Sequence, residues 1–261
     1  MAHRNGKRKH FGKGAWNHNT KQKSVEPGLS GLLFTCHQDE RRAIAEAYSL
    51  IDQLCGFDEK KAAAEQEDDD AALEKECAEM RSKGGKWNQR KQRPTGVKNN
   101  LFVSIPDVDA STLAAKLVDL CQKEQRCRFI QRVLPVERTE AAELTQLNKI
   151  IPELVKKYLV EKDGIYPTYA LDFKARNNDS IKRDNALEML DDAVVALCPA
   201  AKVNLSDPDV TFIVQIVKTT ILAGVVHGFQ RKSRYALRPP TEESKDAEVP
   251  EKRQKLDDSD V

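Results

Sequence analysis

The sequence predicts an α/β (α+β) protein of two folded units, and three features carry that expectation. Short apolar runs that read as strands alternate with stretches whose apolar residues recur every three or four positions, as on a buried helix face. Two near-continuous Val/Ile runs, Val210 to Lys218 and Ile221 to His227, follow one another directly, which suits central strands of a sheet covered on both sides. The remaining sequence is highly charged and poor in large apolar residues. Hydrophobic residues make up 39% and charged residues 32% of the chain. A folded chain carries about 45–50% and about 25%, so part of this one is expected to be disordered.

In the first unit, Gly31-Leu32-Leu33-Phe34-Thr35-Cys36 reads as a buried strand. Asp39 and Glu40 open a helix, where acids suit the positive end of its dipole, and Gly56 ends it. Ala43, Ala47, Leu50, Ile51 and Leu54 fall on one face of that helix. Leu101 to Ile105 is a second strand, stopped by Pro106. A helix from about Ser111 turns Leu113, Leu117, Leu120 and Cys121 inward. Cys127 to Val136 is a third strand, with Arg128 and Arg132 on one face. Strand–helix–strand–helix–strand predicts a ferredoxin-like sandwich over 29–137, interrupted by a disordered insertion at 57–98.

The second unit, 138–238, begins with Thr139 as a helix N-cap. Leu144, Leu147 and Ile151 mark one helix, and Pro152 opens a second that runs through Leu154, Val155 and Leu159 to Gly164. Thr168 to Lys174 is a strand with Tyr169, Leu171 and Phe173 on one face. Ile181 to Leu197 is a helix with Leu187, Leu190, Val194 and Leu197 inward. Lys202 to Leu205 is a brief strand, Asp207-Pro208-Asp209 a turn, and the two Val/Ile runs complete the unit.

The formal net charge of +2 is a cancellation. Residues 1–23 carry Arg4, Lys7, Arg8, Lys9, Lys13, Lys21 and Lys23 without an acid, and 81–98 are basic again. Between them lies an acidic run centred on Glu67-Asp68-Asp69-Asp70, and the stretch after Pro239 is acid-rich. Tails 1–28 and 239–261 are expected to be disordered like the insertion. The acidic run reads most simply as solvated linker. Phe11, Trp16 and Trp87 sit among the basic residues, and flexible cationic chains with stackable rings suit RNA. Lys7-Arg8-Lys9 and Lys252-Arg253-Gln254-Lys255 have the look of nuclear-import signals.

Several classes are excluded on the same grounds. The first 23 residues hold no apolar stretch, so no signal peptide is expected. Phe212 to Phe229 is broken by Gln215, Lys218 and His227 and does not read as a membrane span. The six cysteines form no CxxC pair and read as reduced thiols, with no metal site. GxGxxG, GxSxG and HExxH are all absent. Ser82-Lys83-Gly84-Gly85-Lys86 has the composition of a nucleotide loop, but lacks the flanking strand and helix and reads as linker.

The ordered set of segments Gly31 to Cys36, Cys127 to Val136, Phe173-Lys174-Ala175-Arg176-Asn177-Asn178 and Val203 to Pro208 resembles the THUMP domain-containing protein 1 family over about residues 29–238. The resemblance implies a ferredoxin-like domain followed by a THUMP domain, which together grip a tRNA at its acceptor stem and 3′ end. It implies an adaptor, not an enzyme, with no cofactor of its own. Such an adaptor presents tRNA to a separate RNA cytidine acetyltransferase, which uses ATP and acetyl-CoA to acetylate the exocyclic amine of cytidine and so form acetylcytidine. A location in the nucleus, including the nucleolus, with some protein in the cytoplasm, goes with that role.

A module that holds a duplex end needs cations at strand ends and helix starts. Lys174 and Arg176 close one strand, Asn177 and Asn178 turn, and Lys182 and Arg183 stand at the start of the next helix, an anion site. Two cations there oppose the helix dipole by a few tenths of a kcal/mol unless an anion binds. The plain alternative is a charged loop pairing with Asp172, Asp179 and Asp184. Arg128 and Arg132, with Arg126, form a second patch, which could equally be a solvated sheet face. His227, Arg231, Lys232 and Arg234 form a third, with Phe229 and Tyr235 for stacking and Lys218 facing the same side. Two other functions remain open on the sequence: a catalytic tRNA-modifying enzyme and a general nucleolar RNA-binding scaffold.

Overall fold

The computed structural model describes residues 25–37, 39–54, 90–106, 108–124, 126–162 and 164–238. The basic run 1–23 with Phe11 and Trp16, the 81–89 part of the second basic run with Trp87, both import-like stretches, the acidic run and the Ser82–Lys86 loop lie outside these residues.

The first unit runs β1 (Gly31–Cys36), α1 (Glu40–Leu54), β2 (Lys91–Pro94), β3 (Asn100–Ser104), α2 (Ala110–Glu124) and β4 (Ile130–Val136). Its antiparallel sheet has the order β2-β3-β1-β4, the complete ferredoxin-like arrangement. Both helices start on an aspartate. Asp39 accepts the Arg42 N–H (3.1 Å) and Asp109 the Ser111 and Thr112 N–H groups (3.3 Å each). Ala43, Ala47, Leu50 and Ile51 bury the inner face of α1.

Two sequence expectations change here. The insertion assigned to 57–98 does not extend that far, because Lys91–Pro94 pairs with Leu101–Ser104 as the fourth strand. Its four residues include two cations and a proline and give no strand period to read. The strand expected from Cys127 starts instead at Ile130, since the Glu46 carboxylate on α1 takes the N–H groups of Arg128, Phe129 and Ile130.

The second unit runs β5 (Arg138–Ala141), α3 (Leu144–Tyr158), β6 (Tyr169–Arg176), α4 (Arg183–Leu197), β7 (Val210–Val217) and β8 (Thr220–His227). Its sheet order is β5-β8-β7-β6, with only β6–β7 parallel. Thr139 is no N-cap; it lies fully buried in β5. Its hydroxyl accepts the Leu29 N–H (2.7 Å) and donates to the Glu26 carbonyl (2.8 Å). Residues 25–28, assigned to the basic tail, are thereby tied down, and Gly28 N–H also bonds Thr139 O (2.7 Å). Pro152 does not divide two helices but sits inside α3. An interior proline costs about 3 kcal/mol, but Leu147, Ile150, Ile151, Leu154 and Val155 bury one continuous face across it. The expected strand at 202–205 is a single bridge, Val203 to Tyr169.

Strands β7 and β8 are buried on both faces. Val210, Phe212, Val214, Ile216, Ile221, Ala223 and Val225 pack with α3 and α4, while Ile213, Val217, Leu222 and Val226 join the core of the first unit. Ser111 Oγ donates to Val225 O (2.8 Å), and Glu137 N–H to Ala223 O (2.8 Å). After β8 the chain returns along β4, where Leu237 N–H bonds Gln131 O (2.9 Å). The two units are therefore fused along a shared core. Where the units meet, a Cβ on Gly224 would come within 2.3 Å of Pro135 O. Gly224→Ala should destabilise the chain by about 1–3 kcal/mol, because the obstruction is backbone that cannot turn aside. A lowered urea midpoint with an unchanged slope is the expected readout.

Candidate nucleic-acid interface

Alternation along β6 puts Leu171, Phe173 and Ala175 toward the helices and Asp172, Lys174 and Arg176 on the opposite, open face. Arg176 is half-buried there. Its Nη1 donates to Gln215 Oε1 (2.6 Å) across the parallel pair, and Gln215 Nε2 donates to Asp172 Oδ2 (3.1 Å). Burial pulls the Arg176 guanidinium down from its ordinary pKa, and the charge of Arg132 on β4 adds to that while Asp172 opposes it. An arginine keeps its charge regardless. The result is a fixed cation, pinned by a neutral amide, beside a second cation from the other unit. Lys174 is exposed next to it.

Asn177 takes a left-handed φ of +54°. Asn178 then ties the end of the sheet together. Its Nδ2 donates to Lys218 O (2.6 Å), and its Oδ1 accepts Ser180 N–H (3.0 Å) and Oγ–H (2.8 Å). Lys218 N–H bonds Arg176 O (3.0 Å). Asn178 is thus the brace between β6 and the β7–β8 turn, with its polar atoms engaged within the protein. Lys182 is the N-cap of α4; its N–H reaches Asn185 Oδ1 (3.1 Å), and the side chains of Lys182 and Arg183 are exposed. Lys174, Arg176, Asn177, Asn178, Lys182, Arg183 and Lys218 therefore share one end of the sheet. Asp172 is engaged by Gln215, as noted above.

Lys218, with φ +53°, leans onto the first unit: a Cβ on Gly96 would come within 2.6 Å of its Nζ. A cavity of about 180 Å³ opens there, lined by Val25, Pro94, Thr95, Gly96, Lys218 and Thr220 among others. Sequence reading misses this junction because it assigns 57–98 to a disordered insertion. Exposed Lys98 stands two residues from Gly96 and belongs to the same end.

The third patch is elsewhere. His227 pairs with Val210, at the opposite end of eight-residue strands from Lys218, about 23 Å away at the usual rise. That exceeds a Debye length of about 8 Å, so the two ends do not act as one charge. Lys218 therefore does not face the side of His227. Arg231 Nε holds both Asp207 oxygens at 2.9 Å, and Lys232 pairs with Asp119. Phe229 and Tyr235 do not await a base: both are buried, stacked on each other with centroids 6.2 Å apart. Burial pushes the Tyr235 phenol up to about 12, and its hydroxyl donates to His227 O (3.2 Å). Arg234 is exposed beside Gln230, and the His227 ring lies 5.9 Å from Tyr158. Arg128 is exposed before β4 begins, so strand alternation does not align it with Arg132.

Among the described residues no three His, Cys, Asp or Glu side chains are grouped to hold a metal, and no helix is long and apolar enough to cross a membrane.

The family model for the THUMP domain matches residues 141–226. The mouse protein named THUMP domain-containing protein 1 is 29% identical over 241 residues, 87% of this chain and 68% of its own length. The human protein of the same name is 29% identical over 239 residues, 86% of this chain and 67% of its own. The chain carries a THUMP domain and is similar over most of its length to the proteins named THUMP domain-containing protein 1. A solution structure of the THUMP domain of THUMP domain-containing protein 1 aligns with 32% of this chain and 84% of its own, at 26% identity and a TM-score of 0.29. The matched THUMP segment runs from the last residue of β5 nearly to the end of β8, so the Arg176–Asn178–Lys218 end lies within the THUMP domain and Arg132 and Gly96 lie outside it.

If Asn178 braces this end, Asn178→Ala should cost about 0.5–2 kcal/mol, as loss of a helix-cap side chain does. Hydrogen exchange should quicken at the Ser180 amide, with the β7–β8 ladder still protected.

Proposed function

We propose that this chain is a tRNA-binding adaptor that presents tRNA to a separate RNA cytidine acetyltransferase for formation of acetylcytidine. THUMP domains bind tRNA in modification enzymes, and this chain carries one. The observation that carries the reading is the cationic sheet end, where Arg176 is fixed by Gln215 next to Arg132 of the other unit. A fixed, half-desolvated cation attracts phosphate more strongly than a solvated one and loses little side-chain freedom on binding. Exposed Lys174, Lys182, Arg183 and Lys218 surround it at the start of a helix, whose first N–H groups favour anions. Cations from both units suit the end of an A-form duplex, the acceptor stem and 3′ end, better than a single-stranded groove.

In this reading the adaptor binds and orients, and the partner enzyme supplies the acetyl transfer with ATP and acetyl-CoA. The chain itself needs no cofactor. It works in the nucleus, including the nucleolus, with a share in the cytoplasm.

Purified chain, acetyltransferase, tRNA, ATP and acetyl-CoA test this directly. Acetylcytidine should form with all components and drop sharply when the chain is omitted, and the chain alone should form none. Equal product with and without the chain would end the adaptor reading; product from the chain alone would make it an enzyme. Lys174→Ala with Arg176→Ala should weaken tRNA binding and flatten its log–log salt slope by about one per lost phosphate contact. Arg231→Ala, whose charge is already met by Asp207, should leave affinity within about twofold. Nitrocellulose filter binding across a salt series reads both.

A further inference from the structure

A row of polar side chains crosses the sheet of the first unit where the second unit meets it. Asn100 on β3 lies directly opposite Thr35 on β1, and Thr35 directly opposite Arg132 on β4. Directly opposed residues share a face, with Cβ atoms about 4.5–5.5 Å apart. Both ends of the row touch the second unit. Arg132 acts on Arg176 through its charge. Thr95, whose Oγ1 donates to Asn100 O (2.7 Å), lines the junction cavity together with Lys218 and Thr220.

Asn100 is only 7% exposed, and its Oδ1 has no hydrogen-bond partner among the described residues. The amide cannot be turned over to cure this. Its Nδ2 donates to Lys98 O (2.8 Å), and a flip would set two oxygens against each other. A buried acceptor left in this way weakens the fold until a donor reaches it. Thr35 and Arg132 beside it are half-buried, so the row opens to solvent on their side.

The surroundings say which donor. Arg132, Arg176, Lys218 and exposed Lys98 bring positive charge to the row. Glu40 is taken up by the Asn99 N–H (2.7 Å), and Asp172 by Gln215. Such cations suit a phosphodiester, whose oxygens only accept and cannot serve Asn100. The sugar–phosphate backbone of RNA has one donor, the 2′-hydroxyl, which DNA lacks. That hydroxyl donates and accepts at once. It can donate to Asn100 Oδ1 while accepting from the Thr35 hydroxyl.

We infer that Asn100 and Thr35 read the ribose 2′-hydroxyl of a nucleotide whose phosphate lies against Arg132 and Arg176, and so select RNA over DNA. The inference rests on the tRNA-binding reading and deepens it. The cations supply attraction to any nucleic acid, and the uncharged row supplies the choice of sugar.

The test uses the full chain and one tRNA made in two forms, with natural sugars and with 2′-fluoro sugars. Fluorine keeps the A-form sugar pucker and removes the donor. The parent chain should bind the fluoro form about three- to tenfold more weakly, the worth of one or two hydrogen bonds. Asn100→Ala and Thr35→Val should each weaken binding of the natural form and shrink the ratio between the two forms to within about twofold. Thr35→Val keeps the shape of the side chain and leaves the Asn100–Lys98 hydrogen bond in place, which guards against a disturbed fold in the first variant. Equal binding of both forms by the parent would overturn the inference, as would a parental ratio kept by either variant. A parent chain that binds neither form would fail the tRNA reading and this one with it. A chain that reads the sugar but does not promote acetylation would fail the adaptor reading alone.

Discussion

A strand pair buried on both faces sets the geometry of this molecule. Strands β7 and β8 give one set of alternate residues to the helices of their own unit and the other set to the core of the first unit. Such a pair cannot shift register, because a one-residue slip would exchange the two faces and leave Gln215 among the helices. With the register fixed, Gly224 meets Pro135, the β7–β8 turn meets Gly96, and Arg176 meets the field of Arg132. The interface is continuous apolar core, not the polar contact typical of domains that move freely. Cations from two units are thus held at constant separation.

The fate of each cation follows from its neighbours, not from its position in the sequence. Arg231 has two aspartates in reach, and Lys232 has Asp119. Arg176 is held by an amide, and of the two charges that act on it Asp172 favours the guanidinium while Arg132 opposes it. Gln215 supplies that amide, and it lies in an apolar strand where a polar residue needs a partner. Arg176 and Asp172 are those partners on its two sides. The same hydrogen bonds therefore satisfy a buried side chain and orient a cation.

Much of the fold was legible in the sequence, and the failures have physical causes. Runs such as Leu32–Phe34 and Val210–Val217, and the faces of α1 and α3, carry their period openly. Lys91–Pro94 does not, because an edge strand held by backbone pairing needs no apolar side chains. Thr139 has the chemistry of an N-cap but spends it on the backbone of Glu26 and Leu29, more than a hundred residues away. Pro152 is a helix breaker by rule, overridden by burial of the face on either side of it. Among the candidate site residues, the proximity of Lys174 to Arg183 was readable as a local sequence. Gln215, Gly96 and the separation of Lys218 from His227 were not, because they depend on sheet register and on how the two units meet.

The two ends of the THUMP sheet differ in chemistry as well as in position. At one end, exposed lysines and arginines outnumber the acids near them, and Arg176 cannot be neutralised by its amide partner. At the other, Asp207 and Asp209 answer Arg231, and Asp119 answers Lys232. Opposite surfaces on one rigid sheet, about 23 Å apart by strand rise, lie beyond the range at which they screen or compete with each other. The doubly buried β7–β8 pair holds the two ends at that distance.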